Sequence, residues 1–217
     1  MTYIIAIDGP SGSGKSTISQ ILAEKLKIEY LNTGLMYRAV TKYFLDNGYG
    51  EETDDEILIS LLDEISIDYN DNKLFLNGVD VTDKLRNDEV TANVSWVSAR
   101  DYVRNKMVDL QRKIAEDTSF ILDGRDIGSV VFPDAKYKFY LTASALTRAK
   151  RRFDQGESDM TIEEIEKDII RRDNYDSTRQ IAPLKVAEGA IVIDSSSLDI
   201  DQTIVEILSH MEDEDVL

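Results

Sequence analysis

Five short apolar runs punctuate the chain, at residues 3–8, 28–31, 119–123, 137–141 and 190–194. Continuous runs of this length predict strands buried on both faces, as in a parallel sheet. Helical spacing fills the gaps. Ile18, Ile21, Leu22 and Leu26 form one apolar stripe, and Val103, Met107, Leu110 and Ile114 form another. Thr161 and Glu164 make a capping-box pattern ahead of Ile162, Ile165 and Ile169, and a last helix buries Ile204, Ile207 and Leu208. Strands alternating with helices predict an α/β fold, a five-stranded parallel sheet covered by helices on both faces.

One segment breaks the rhythm. Ile65, Ile67 and Tyr69 alternate with polar residues, Asn70 to Asn72 reads as a turn, and Leu74 to Leu76 reads as a second strand. A small antiparallel insert is expected there. The stretch between Tyr43 and Asn72 has no Lys or Arg but many acids, among them Glu51, Glu52, Asp54, Asp55 and Glu56. A solvated face with a helix capped at Asp54 explains it better than a metal site.

Composition narrows the function classes. With 217 residues, one sizeable core is expected, spanning residues 1–217 as a single domain. A net charge of −17 argues against general adhesion to nucleic acid or to an anionic membrane, although a local Arg cluster can still hold phosphates. The chain has no Cys and only one His, His210 near the acidic C-terminus, so thiol chemistry, disulfides and a His-ligated metal are not expected. No apolar stretch reaches the roughly 20 residues of a membrane helix, and the N-terminus carries no secretory pattern. A cytoplasmic protein is expected.

The strongest local signal is the run Gly9, Pro10, Ser11, Gly12, Ser13, Gly14, Lys15, Ser16, Thr17. It fits G-x-x-x-x-G-K-[ST] and lies between a predicted strand and a predicted helix, as a phosphate-cradling P-loop requires. The glycines let successive N–H groups turn toward phosphate oxygens, and the helix adds its positive dipole end. Lys15 is expected to reach the β- and γ-phosphates, and the Ser16 hydroxyl to join the coordination of Mg²⁺. The alternative is a Gly-rich turn with no ligand. The loop alone does not separate GTPases, ATPases and small-molecule kinases.

The segment Asn32-Thr33-Gly34-Leu35-Met36-Tyr37-Arg38 resembles the acceptor-side motif D-[ST]-G-x-x-Y-R of bacterial cytidylate kinases, with Asn32 where that family usually has Asp. Further matches follow in order: Asp123-Gly124-Arg125-Asp126-Ile127-Gly128, then residues 130–135, then Arg148, Arg151 and Arg152. Arg172, Asp173, Asp176 and Arg179 come last, ahead of Ala182-Pro183-Leu184. The resemblance covers nearly the whole chain and implies the P-loop kinase fold of nucleoside monophosphate kinases. It further implies a monophosphate-binding subdomain at 34–99, which carries the insert, and a short lid at 151–170.

The activity this implies is ATP- and Mg²⁺-dependent phosphorylation of CMP and dCMP, by a monomer. It assigns Lys15, Arg125, Arg151 and Arg152 to catalysis. For the acceptor it implies Thr33 among the CMP-binding residues, Arg38, Arg125 and Arg179 at the phosphate, Ser95, Arg104 and Asp126 at the base, and Arg172 and Asp176 at the sugar. Arginine suits phosphate because its planar fork donates two parallel hydrogen bonds and stays charged. A phosphate acceptor with a second pKa of about 6 is already largely ionised at neutral pH, so no general base is required. The alternative for each Arg is a surface ion pair; for Asp126 it is an ion pair with Arg125 or a helix cap. Rival functions are a P-loop kinase for another monophosphate or metabolite and a catalytically silent nucleotide-binding module. A GTPase is disfavoured, because no N-K-x-D element is present.

Overall fold

The computed structural model describes residues 2–70, 72–156 and 160–216. It divides into two compact units, one of Met1–Leu31 with Ala115–Leu217, the other Asn32–Ile114. The segment expected at 34–99 falls inside the second unit, which runs on to Ile114.

The first unit is built on a parallel sheet. Its strands are β1 (Ile4–Asp8), β2 (Glu29–Asn32), β6 (Phe120–Gly124), β7 (Tyr137–Thr142) and β8 (Ile191–Asp194), in spatial order β2-β6-β1-β7-β8. β1 lies at the centre, paired in parallel with β6 and β7. β1 and β6 read as apolar runs because both of their faces are covered, and every residue of β6 is buried. β8 at the edge alternates instead, leaving Val192 exposed. Around the sheet are α1 (Lys15–Leu26), α6 (Ala145–Asp154), α7 (Ile162–Thr178), α8 (Ile200–Leu208) and the short α9 (Asp213–Val216). Ile18 and Leu22 of α1 and Ile204 and Ile207 of α8 pack with Ile5 and Phe139 in one apolar cluster. The five expected strands are all present, each boundary within one residue, and α1, α7 and α8 carry three of the expected apolar stripes.

The second unit holds α2 (Thr33–Asp46), α3 (Asp55–Asp63), α4 (Asp88–Ala99) and α5 (Asp101–Ile114) with a small antiparallel sheet. That sheet has β3 (Ile67–Asn70), β4 (Lys73–Leu76) and a two-residue β5 (Val79–Asp80), in the order β3-β4-β5. The expected insert is therefore a sheet of three strands. β5 escaped notice because two residues carry no alternation to read. Asp71, within the expected turn, lies outside the described residues. Asp54 caps α3 by accepting from Glu56 N–H at 2.8 Å, which accounts for part of the acidic run without a metal. Phe44 and Trp96 stack at 6.4 Å between α2 and α4. Among the described residues no helix is long and apolar enough to cross a membrane.

Candidate active site

The functional side chains of the first unit gather at the C-terminal ends of its parallel strands, where loops are released from the sheet. β1 runs into the loop that closes on α1. Gly9 is fixed there by close approach: a Cβ on it would stand 2.0 Å from the Leu141 carbonyl oxygen at the end of β7. Gly14 occupies the N-cap position of α1 with φ 90°, a left-handed geometry that suits glycine. No side chain caps α1 and its first turn holds no acid, so its leading N–H groups and dipole are left for an anion.

Lys15, the first residue of α1, is buried and turned back onto its own loop. Its Nζ donates to the Pro10 carbonyl at 2.7 Å and to Ser13 Oγ at 3.2 Å. Burial, reinforced by the nearby Arg125 charge, lowers its pKa to about 7. A bound phosphate would supply the missing countercharge. Ser16 Oγ donates to Asp123 Oδ2 at 2.8 Å, and Tyr30 donates to Asp123 Oδ1 at 3.0 Å. Burial raises the pKa of Asp123, with Lys15 opposing the rise. Among the described residues no cluster of three His, Cys, Asp or Glu could hold a metal alone. The Ser16 hydroxyl and Asp123 carboxylate are instead the hard oxygens suited to Mg²⁺ that arrives with phosphates.

Beyond β6, Arg125 Nε donates to Asp176 Oδ2 at 2.9 Å. Burial works against the Arg125 charge, yet Asp176, joined by Asp173 and Asp123, outweighs it and the pKa is raised. Asp126 faces Arg179 at 3.6 Å, and Arg179 lies 3.8 Å from Asp176 while donating twice to the Ala182 carbonyl. Of the two alternatives for Asp126, the helix cap is not what the structure holds: its side chain does not cap the turn that follows it, and the hydrogen-bonded partner of Arg125 is Asp176. Arg172 is buried, its Nε has no partner among the described residues, and burial followed by the Arg125 charge lowers its pKa to about 10. Arg125, Asp126, Arg172, Asp176 and Arg179 form one charged network.

The run of arginines on α6 divides its labour. Arg151 donates to Ser195 Oγ at 3.1 Å and to the Ser195 carbonyl at 2.7 Å, and its guanidinium lies 3.9 Å from a Cβ built on Gly14. Arg152 meets Asp168 of α7 at 3.5 Å. Arg148, given no role from sequence, is a brace: it donates to the Ala143 and Ser11 carbonyls and to Asp173. Asp173 in turn accepts from Ser11 N–H at 2.9 Å, tying the phosphate loop to α7. The expected lid, 151–170, comprises the end of α6 and the start of α7, joined by their own cluster of Ala149, Ile165 and Ile169; residues 157–159 lie outside the described ones.

In the second unit Thr33 opens α2 and is buried, capped by Asn32 whose Oδ1 accepts from Leu35 N–H at 3.2 Å. Asn caps a helix about as well as Asp, so the departure from the motif keeps the cap and drops only the charge. Arg38 donates to Thr91 Oγ1 at 2.8 Å and to the Leu85 carbonyl at 3.0 Å. Ser95 is buried on α4. Arg104 on α5 donates to the Ser98 carbonyl at 3.0 Å and lies 5.2 Å over the Tyr37 ring, which is itself packed inside. These four expected acceptor residues therefore sit on three mutually packed helices.

Asp8, Asp123, Arg148 and Asp173 had no expected role. Their partners stand 107 to 162 residues away in the chain for the phosphate-loop and strand contacts, a separation that local spacing does not reveal. The signal available was type: acids immediately beside a Gly-rich loop and beside an Arg motif.

Comparison with known proteins gives the same picture. A curated cytidylate kinase of Thermotoga neapolitana is 42% identical over 216 residues, covering 98% of each chain. One of Clostridioides difficile is 45% identical over 211 residues, covering 96% of this chain and 97% of the relative. A crystallised, uncharacterised protein from Eubacterium ventriosum shares the fold, with a TM-score of 0.52 at 14% identity over 96% of this chain and 98% of its own. The family model described as cytidylate kinase matches residues 5–213, and the chain belongs to the cytidylate kinase family.

Proposed function

We propose that the protein transfers the γ-phosphoryl group of ATP to CMP and dCMP, giving CDP and dCDP, as a cytoplasmic enzyme. The observation that carries this is the pairing, in one unit, of an uncapped α1 N-terminus beside Lys15 with the network Arg125, Asp126, Arg172, Asp176 and Arg179. Family membership supports the same reading. No partner chain is needed, since every group given a role belongs to this one, and we propose a monomer.

Residues 9–17 hold the triphosphate through backbone N–H groups, and Lys15 leaves Pro10 and Ser13 to meet its phosphates. Ser16 and Asp123 would hold Mg²⁺, which supplies charge neutralisation across the β- and γ-phosphates. The acceptor phosphate is the nucleophile. Arg125 and Arg179 neutralise it, Arg151 and Arg152 serve the group in transfer, and Arg172 with Asp176 binds the sugar. Arg38 is given the acceptor phosphate, Ser95 and Arg104 the base, and Thr33 a place among the CMP-binding residues, on the strength of their motifs. Holding two polyanions in line with cations is the main catalytic work such a reaction needs. Asp126 accepts from the cytosine amino group; uracil has a carbonyl there, which leaves an acceptor facing an acceptor.

A coupled assay with ATP against CMP, dCMP, UMP, AMP and shikimate tests the reading. CMP and dCMP are expected to turn over well, UMP poorly, AMP and shikimate not at all; turnover of AMP or shikimate without CMP would overturn it. Lys15→Ala is expected to cost about 10²–10³ in kcat. Asp126→Ala should lower the preference for CMP over UMP, and an unchanged preference would remove Asp126 from base recognition.

A further inference from the structure

Asp126 occupies the N-cap position of a single turn of π-helix, Ile127–Val131. An Asp placed there ordinarily turns its carboxylate onto the N–H groups just ahead of it. Here it does not. Both of the leading N–H groups are taken by an acid from the central strand. Asp8 Oδ1 accepts from Ile127 N–H and Oδ2 from Gly128 N–H, each at 2.8 Å. Asp126 contributes its backbone carbonyl, which accepts from Val130 and Val131 N–H at 2.9 and 3.2 Å. Its carboxylate is directed at Arg179.

Register makes this possible. Asp8 is the last residue of β1 and pairs with Gly124, the last of β6, so its carboxylate lies beside the chain as it leaves the sheet. The turn has little room to shift, because a Cβ on Gly128 would meet Lys138 Cδ at 3.1 Å and Ala187 Cβ at 3.3 Å. Two adjacent N–H donors need two acceptors and no donor. A carboxylate meets that need; an amide brings one oxygen and an NH₂ that would face an N–H.

We propose that Asp8 is a positioning residue for acceptor recognition: by capping the turn in place of Asp126, it holds the Asp126 carboxylate at Arg179, where the base is read. This rests on the reading of Asp126 given above. It goes beyond that reading by making cytosine selectivity depend on a residue that touches no substrate and immediately precedes Gly9 of the phosphate loop.

Steady-state kinetics with CMP and UMP at saturating ATP, on the wild type, Asp8→Asn, Asp126→Ala and the double variant, test it. Asp8→Asn is expected to raise KM for CMP about tenfold and to lower the CMP-to-UMP ratio of kcat/KM about tenfold, with KM for ATP changed less than twofold. The double variant should show the ratio of Asp126→Ala alone, since Asp8 acts through Asp126. An unchanged ratio in Asp8→Asn, or a double variant in which the two losses multiply, would overturn the proposal. If Asp126→Ala alone leaves the ratio unchanged, the base-reading role fails first, and the proposal falls with it. The capping contact is read separately in the wild type, where no variant need fold: the Ile127 and Gly128 amide protons should titrate together with one carboxyl group in the NMR spectrum. Amides that do not respond would also overturn it.

Discussion

At 3% exposure and with two amide donors, Asp8 keeps a carboxylate where water would otherwise be needed. Burial is the larger influence and raises its pKa to about 6; the two N–H groups pull the other way, Asp126 adds to the rise and Lys15 opposes it. Tyr140 on β7 also feels the Asp8 charge. The unfolded chain would bind that proton only below about pH 4, so between those values the folded state holds more protons. This contribution to stability is full below pH 4 and is lost as pH rises through about 6. Relative to Asp8→Asn, which does not titrate, the wild type should gain about 3 kcal/mol between pH 7 and pH 4 in urea unfolding. A constant difference across that range would mean Asp8 is not perturbed. Asp176 presents a different case. It is the hydrogen-bonded partner of Arg125 and also serves Arg179, so Asp176→Asn removes an anion from between two cations and should cost about 3 kcal/mol, or about 6–12 °C in Tm. A fall below about 2 °C would show the network to be a solvated one. The Arg and Asp types were legible from their motifs, but their partners were not: pairing Arg125 with Asp176 spans 51 residues and needs the fold.

Among the elements, α1 and α7 begin in opposite ways, and the contrast follows their proposed work. α7 opens with a complete capping box, Thr161 Oγ1 accepting from Glu164 N–H and Glu164 accepting from Thr161 N–H. α1 opens on a left-handed glycine, with no side-chain cap among the described residues. Thr161→Ala should therefore cost about 1 kcal/mol in unfolding free energy, with no change of CMP preference. Gly9→Ala should cost more, about 2–4 kcal/mol, because a methyl 2.0 Å from the Leu141 carbonyl must push β1 from β7. Equal unfolding midpoints for Gly9→Ala and wild type in a thermal melt would refute that contact. Both helices were readable in advance, since a capping box and a Gly-rich loop are local signals. The π-turn Ile127–Val131 was not, as its two leading N–H groups are satisfied by Asp8, 119 and 120 residues earlier in the chain. β5 was missed for want of length.

Across the whole chain, composition and local chemistry point in opposite directions, and the opposition has a measurable consequence. The net charge is −17, which repels both anionic substrates and the molecule's own surface. Composition could not locate the cations, because placement and not count decides what a charge does. Lys15, Arg125, Arg172 and Arg179 are buried or nearly so, and their attraction for phosphate acts at short range. Salt weakens the two effects unequally. Raising NaCl from about 20 to about 300 mM shortens the Debye length from about 20 Å to about 6 Å. Repulsion among dispersed surface acids is then largely screened, so Tm in the absence of substrate should rise by a few degrees. Repulsion between the acidic surface and an incoming dianion is screened in the same way, while its short-range contacts with the buried cations are screened much less, so KM for CMP and for ATP should not rise over the same range. A Tm that falls with salt would mean that attractive ion pairs, such as Arg125 with Asp176, outweigh the net repulsion. A KM that rises severalfold with salt would mean that the substrate phosphates are drawn in by exposed, long-range charge and not by the buried cations.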